Sequence, residues 1–246
     1  MKREVIGQTM SQGMRRSVKQ RYKEIDILRA IAIALMVLFH FVYDLKEFAG
    51  VNIDYQAPFW FTIGKASALL FIGLSGLSSG LSRSPVRRGY KVLLCAMFIS
   101  AVTYLFLREE YIRFGILHFL GVSMILSPLL QKLSSRKLMI SACVIAVLGF
   151  WFATLTVKTS LLLPLGLMYE GFGTIDYYPL FPYLAVTILG ILAYRRFYAF
   201  RIVSLSTPFR AAALWVQWLS RNSLGIYLVH QPVFLLAIFL INRRRF

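Results

Sequence analysis
Charge is scarce in this 246-residue chain: Asp, Glu, Lys and Arg supply 15% of it, against 58% apolar residues. A typical soluble domain carries about 25% charged residues, so a water-soluble enzyme is a poor fit. Acid is scarcer still, with 10 carboxylate residues against 28 Lys and Arg and a formal net charge of +18. Such a balance can mark a nucleic-acid binder. Here the basic residues fall in short runs between apolar segments, which the positive-inside rule explains with no nucleic-acid partner. The two cysteines, Cys95 and Cys143, both lie in apolar stretches, which excludes a disulfide framework and a cysteine metal site. No internal repeat is visible, so an inverted-repeat transporter has no support. No small-residue cleavage site follows the first apolar run, and Arg15-Arg16 stands well before it, so no removed signal peptide is expected.

Apolar runs, by contrast, are abundant. The expected fold is all-α: a polytopic transmembrane helical bundle of about seven spans, with eight as the alternative. The spans are placed near 25–44, 58–82, 90–107, 114–131, 138–157, 177–194 and 222–241. Residues 211–220, AAALWVQWLS, read as a short interfacial helix anchored by two Trp. Residues 1–23 form a basic cytoplasmic arm, residues 24–242 one transmembrane domain and residues 243–246 a basic tail. The arm and the loops at 83–91, 132–137 and 195–210 are rich in Lys and Arg, whereas those at 45–57, 108–113 and 158–176 are poor in them. This alternation puts the N-terminus in the cytoplasm. Seven spans leave Arg243, Arg244 and Arg245 outside, against the rule. The basic ends also suit anionic membrane lipid.

The first span carries Asp26, Arg29, His40 and Asp44 in an otherwise apolar stretch. At about 100° per residue, with Asp26 at zero, Arg29 falls near 300°, His40 near 320° and Asp44 near zero. All four share one face. Ionisable groups inside a span are costly and normally face a protein interior or a wet cavity, so the stripe is a candidate functional surface. Arg29 lies at the cytoplasmic end and His40 about 16.5 Å further along the axis. An Arg fork at that end suits a bidentate phosphate. His40 and Asp44 are four residues apart, a spacing at which a carboxylate can orient an imidazole for general-base work.

All three histidines fall within spans. His118 is placed at roughly the depth of His40. Ser223, Tyr227 and His230 form a second polar stripe in the last span. Lys65 in the second span needs a partner, and Asp44 is the nearest expected in depth. Asp176, at the outer mouth of the sixth span, reads as an N-cap or a substrate carboxylate. GLSGLSSG at residues 73–80 presents small residues at the spacing that lets helices approach closely, with a narrow Gly- and Ser-lined channel as the other use.

Arg29 and His40, an Arg and a His separated by ten residues, resemble the first-helix signature of the acyltransferase-3 membrane family. The stretches EIDILRAIAIALMVLFHFVYD, LLFIGLSGLSSGLS, RFGILHFLGVSMIL, YYPLFPYLAVTILGI and RNSLGIYLVHQPV resemble, in order, the bacterial heparan-alpha-glucosaminide N-acetyltransferase-like family of the same superfamily. The resemblance implies acetyl-CoA as acyl donor from the cytoplasm and an extracytoplasmic amino sugar or glycan as acceptor. The setting it implies is a bacterial inner or plasma membrane. It implies Arg29, with Asp26, at the donor's phosphates, and His40 as base oriented by Asp44. His118 is then the second choice of base or an acceptor ligand, and Lys65 or Ser75 the oxyanion donor. The lysosomal enzyme of the family places its catalytic His in the first luminal loop. Residues 45–57 here contain none, so that role does not carry over. The chain also has fewer spans than these relatives, and a homodimer would supply missing parts of a donor pocket. Two other readings fit the residues: a b-type haem protein with His40 and His118 as axial ligands, and a proton-coupled transporter using Asp44, His40 and Lys65.

Overall fold
The computed structural model describes residues 22–199 and 210–243. Most of the expected basic arm and its counterpart at residues 244–246 lie outside the described residues, as do residues 200–209 of the last basic loop. The architecture is all-α. Helices α1 (Lys23–Glu47), α2 (Pro58–Ser79), α3 (Pro85–Leu107), α4 (Ile116–Lys132), α5 (Ser135–Phe152) and α6 (Leu180–Ala193) are followed by a short α7 (Arg210–Arg221) and by α8 (Ser223–Arg243). Among the described residues, six helices are long and apolar enough to cross a membrane; α4 is a shorter apolar helix. Its 17 residues lie at the short end of the spanning range.

Proline at the first turn starts α2 and α3, where a missing N–H costs nothing. Glycines then set the helix spacing. A methyl group on Gly76 would collide with the Thr187 carbonyl, and one on Gly190 with the Gly73 carbonyl, so α2 and α6 meet backbone to backbone. The small residues of 73–80 therefore serve packing. Gly89 and Gly121 bring α3 and α4 together in the same way. Ile72, Phe119, Leu138, Ile188 and Ile191 fill the core between α2, α4, α5 and α6. Phe98 and Phe106 on α3, Phe150 on α5 and Phe239 on α8 point away from the bundle, as lipid-facing residues do.

Direction follows from contacts at the two ends of α1. Arg29 meets Ser220 at the end of α7, and further along Phe41 packs on Phe234 of α8, ring centroids 5.4 Å apart. The two helices therefore run parallel, and α8 ends on the face opposite the start of α1. α7, with 12 residues, is too short to span, and Leu214, Trp215 and Trp218 on it are exposed. A short helix with an open apolar, Trp-bearing face has the form that an interfacial helix takes. The loop before α6 is folded onto the α3–α4 turn. Arg113 donates to the Gly173 carbonyl at 2.6 Å, and Thr174 donates to the Tyr111 carbonyl at 2.9 Å. Tyr178 N–H reaches the Phe114 carbonyl at 3.0 Å.

Candidate active site
At the N-terminal end of α1, the first half of the stripe is tied into the fold. Arg29 donates to Ser220 Oγ at 2.9 Å and to Ser78 Oγ at 2.7 Å. It pairs with Asp26 at 3.9 Å, and Ser220 donates to Asp26 Oδ1 at 2.6 Å. One guanidinium thus fastens α1, α2 and α7 together, and Asp26 is buried behind it. Spacing within span 1 shows Arg29 facing Asp26, but the two serines come from remote helices whose register only the fold supplies. Ser75, one turn up α2 from Ser78, has a buried hydroxyl with no hydrogen-bond partner. That turn is about 4.5 Å, so Ser75 belongs to the Arg29 end and falls well short of the depth of His40. This corrects its place as an oxyanion donor beside His40.

Further along, α1 and α8 bring two histidines together. The rings of His40 and His230 cross at 76° with centroids 4.8 Å apart. His40 Nδ1 lies 2.9 Å from the Met36 carbonyl, and His230 Nδ1 lies 2.8 Å from the Tyr227 carbonyl and 3.2 Å from that of Ile226. A carbonyl accepts only, so each Nδ1 carries the proton and each neutral ring keeps its lone pair on Nε2. His230 Nε2 is buried and has no partner. His40 is only partly buried.

Two expected partnerships are not formed. His40 is oriented by its own helix, through Met36, and not by Asp44. Asp44 is fully buried, and the polar side chain that its carboxylate faces is Gln231 of α8, not His40. Lys65 does not turn to Asp44 either. The preceding Gly64 abuts the Phe39 ring, which puts Lys65 at the depth of His40. Its side chain points toward α6, where Nζ donates to Tyr183 Oη at 3.1 Å. It also lies 5.0 Å from the Tyr178 ring centroid and 5.6 Å from those of Phe61 and Tyr183. Aromatic faces and a phenol satisfy this ammonium within the bilayer depth.

His118 is separate from the pair. Gly115 N–H donates to its Nδ1 at 3.2 Å, which leaves the proton on Nε2 to meet Ser100 Oγ at 3.2 Å. It closes the first turn of α4 as a capping-box residue does. Asp176 caps the same helix from the other side: its Oδ2 accepts from Ile116 N–H at 2.9 Å. The capping reading of Asp176 is right in kind, but the helix capped is α4, some sixty residues earlier. Burial pushes the Asp176 carboxyl up to about 6, against the pull of the Ile116 hydrogen bond and the Lys65 charge. Asp176, His118 and Tyr227 line a cavity of about 10 Å³, room for about one water. With both ring nitrogens of His118 engaged and His40 set edge-to-face against His230, the His40–His118 ligand pair of a haem reading is not formed.

The heparan-alpha-glucosaminide N-acetyltransferase catalytic model matches residues 21–232. The chain belongs to this family. The match begins just before α1 and ends two residues past His230, so it spans both the Arg29 end and the His40–His230 pair. A search of curated proteins and of solved structures found no match. Membership makes the protein a multi-pass membrane acetyltransferase. An acetyltransferase needs a base near the acceptor and a hold on the acyl donor. Sequence reasoning placed Arg29 and His40 as the candidates for these tasks, on one face of α1. It left out His230, although the Ser223, Tyr227 and His230 stripe was visible, because nothing local says which helix that stripe faces.

Proposed function
We propose that the protein moves an acetyl group from acetyl-CoA, taken from the cytoplasmic face at the N-terminal end of α1, to an amino-sugar or glycan acceptor near the opposite face of a bacterial inner membrane. The observation that carries this reading is the state of His40. Its Nδ1 is pinned to the Met36 carbonyl, so its Nε2 lone pair is free for an incoming amine or hydroxyl. As the acceptor atom attacks the thioester carbonyl, Nε2 takes its proton. When the carbon–sulfur bond breaks, the same proton goes to the departing thiolate. A positioned base of this kind is worth on the order of 10²–10⁴ in rate.

Arg29 is the residue for the donor's phosphates. Its hydrogen bonds to Ser78 and Ser220 are to neutral hydroxyls. A phosphate oxygen accepts more strongly than a hydroxyl, so an incoming phosphate competes well for the fork. Ser75, with its unused hydroxyl, lies beside this entry. Asp26 holds the guanidinium in place, and Asp44 lies on the path beyond His40. His118 is read as structural.

The test is acetyl-CoA binding and acetyl transfer to an amino sugar by protein in liposomes, for the native chain, Arg29→Ala, His40→Ala and His118→Asn. The expected result is weakened donor binding in the first variant, intact binding with transfer lost in the second, and retained transfer in the third. A native protein that neither binds nor consumes acetyl-CoA would sink the reading. Binding unchanged in Arg29→Ala, or transfer surviving in His40→Ala, would sink the assignment of residues.

A further inference from the structure
We infer that His230 is a second proton acceptor in this site, acting beside His40; the inference rests on the acetyl transfer proposed above. Proton stoichiometry requires more than one acceptor. An amine acceptor meets the protein as an ammonium ion, R–NH₃⁺. Its conversion to an amide with acetyl-CoA yields the amide, the free thiol and one proton released to solution. Two protons therefore leave the nitrogen. One makes the lone pair available for attack, and the other departs as the carbon–nitrogen bond forms. A single imidazole can accept only one of them at a time.

The fold supplies two. His40 and His230 present crossed rings with centroids 4.8 Å apart, each with Nδ1 tied to a carbonyl of its own helix. Each therefore has one free acceptor atom, Nε2. His230 Nε2 is buried without a hydrogen bond, and an orphan of this kind in an apolar seam is destabilising unless something uses it. A histidine kept only for packing would have gained by finding a donor. The other polar and titratable groups around it do not offer one: Tyr227 on its own helix has its ring 5.7 Å away, and Phe234 contributes only an aromatic edge. On α1, His40 faces it, while Asp44 lies beyond with Gln231 toward it.

In the proposed sequence His230 Nε2 takes the first proton and leaves a neutral amine. The nitrogen attacks the thioester carbonyl while His40 Nε2 takes the second proton. The carbon–sulfur bond breaks, the thiolate receives the proton from His40, and the proton on His230 returns to solvent.

The experiment compares native protein and His230→Gln in liposomes over a pH series, with glucosamine as acceptor. A tenfold or greater loss of turnover is expected at about pH 6, well below the acceptor's own ammonium value, shrinking as the pH rises through that value, where solution supplies free amine. A loss equal at all pH values, or no loss, would overturn the inference, since a packing role has no reason to follow the acceptor's ionisation. His230→Ala with added imidazole keeps the question open to decision where the first variant folds poorly. Restored turnover at that same low pH supports the role, and no rescue in a protein that melts like the native one opposes it. Absence of transfer by the native chain would instead be a failure of the underlying acetyltransferase reading.

Discussion
Consider the removal of Arg29. Its guanidinium is about a quarter exposed, its side chain 25% accessible against 8% for Asp26. Truncation to Ala leaves the Asp26 carboxylate buried without its cationic partner on α1, the Ser220 hydroxyl still donating to Oδ1 at 2.6 Å. Breaking one side of a buried ion pair costs about 3–5 kcal/mol, and the partial exposure of Arg29 puts the expected loss near the lower figure. Converting both residues to neutral relatives, Asp26→Asn with Arg29→Gln, removes the stranded charge and recovers part of that loss. The coupling expected between the two sites is about 1–3 kcal/mol. Far-UV circular dichroism during SDS-driven unfolding in mixed micelles reads each stability. Single effects that add to within about 0.5 kcal/mol would refute the claim that the two act as one unit. So would native stability in Arg29→Ala, because the guanidinium could not then be fastening α1, α2 and α7.

Two further outcomes follow from the geometry. Gly190→Ala sets a methyl against the Gly73 carbonyl, an atom that cannot rotate aside, and overpacking of this kind costs about 1–3 kcal/mol. Gly225→Ala, which meets nothing within 4 Å, is expected to unfold like the native chain, and equal losses in both would refute the close-packing account. For Asp176, folding raises the carboxyl from 3.8 to about 6, so the folded state binds its proton more tightly than the unfolded one. Its contribution is then most favourable at pH values below 3.8 and is lost as pH rises through about 6. Asp176→Asn keeps an oxygen to accept from Ile116 and removes the titration. Unfolding midpoints measured from about pH 4 to pH 7 are expected to fall for the native chain more than for the variant; parallel curves would contradict this.

Much of the bundle was legible because the bilayer leaves few choices. A run of apolar residues that must satisfy its own backbone can only be a helix, and Trp215 and Trp218 on a run too short to cross marked α7 as interfacial. The stripe on α1 was legible because helix periodicity is local. The partnerships were not. His40 and Asp44 have the spacing of a hydrogen-bonded pair, yet Met36 offers the imidazole a closer carbonyl on the same helix. Lys65 seemed nearest to Asp44 in depth, but depth says nothing about azimuth, and the side chain points at Tyr183. His118 seemed level with His40, but its hydrogen-bond partners are Gly115 at the start of its own helix and Ser100 of α3.

What the sequence determined by itself was the solvent, the helices and the polar face of α1, since each depends on the order of residues along one segment. The tertiary structure decided which face meets which. It set His230 against His40 and Ser220 against Arg29, because the rotation of one helix about its axis relative to another is fixed by packing across the seam. Here that packing is the parallel run of α1 and α8, held where Phe41 meets Phe234.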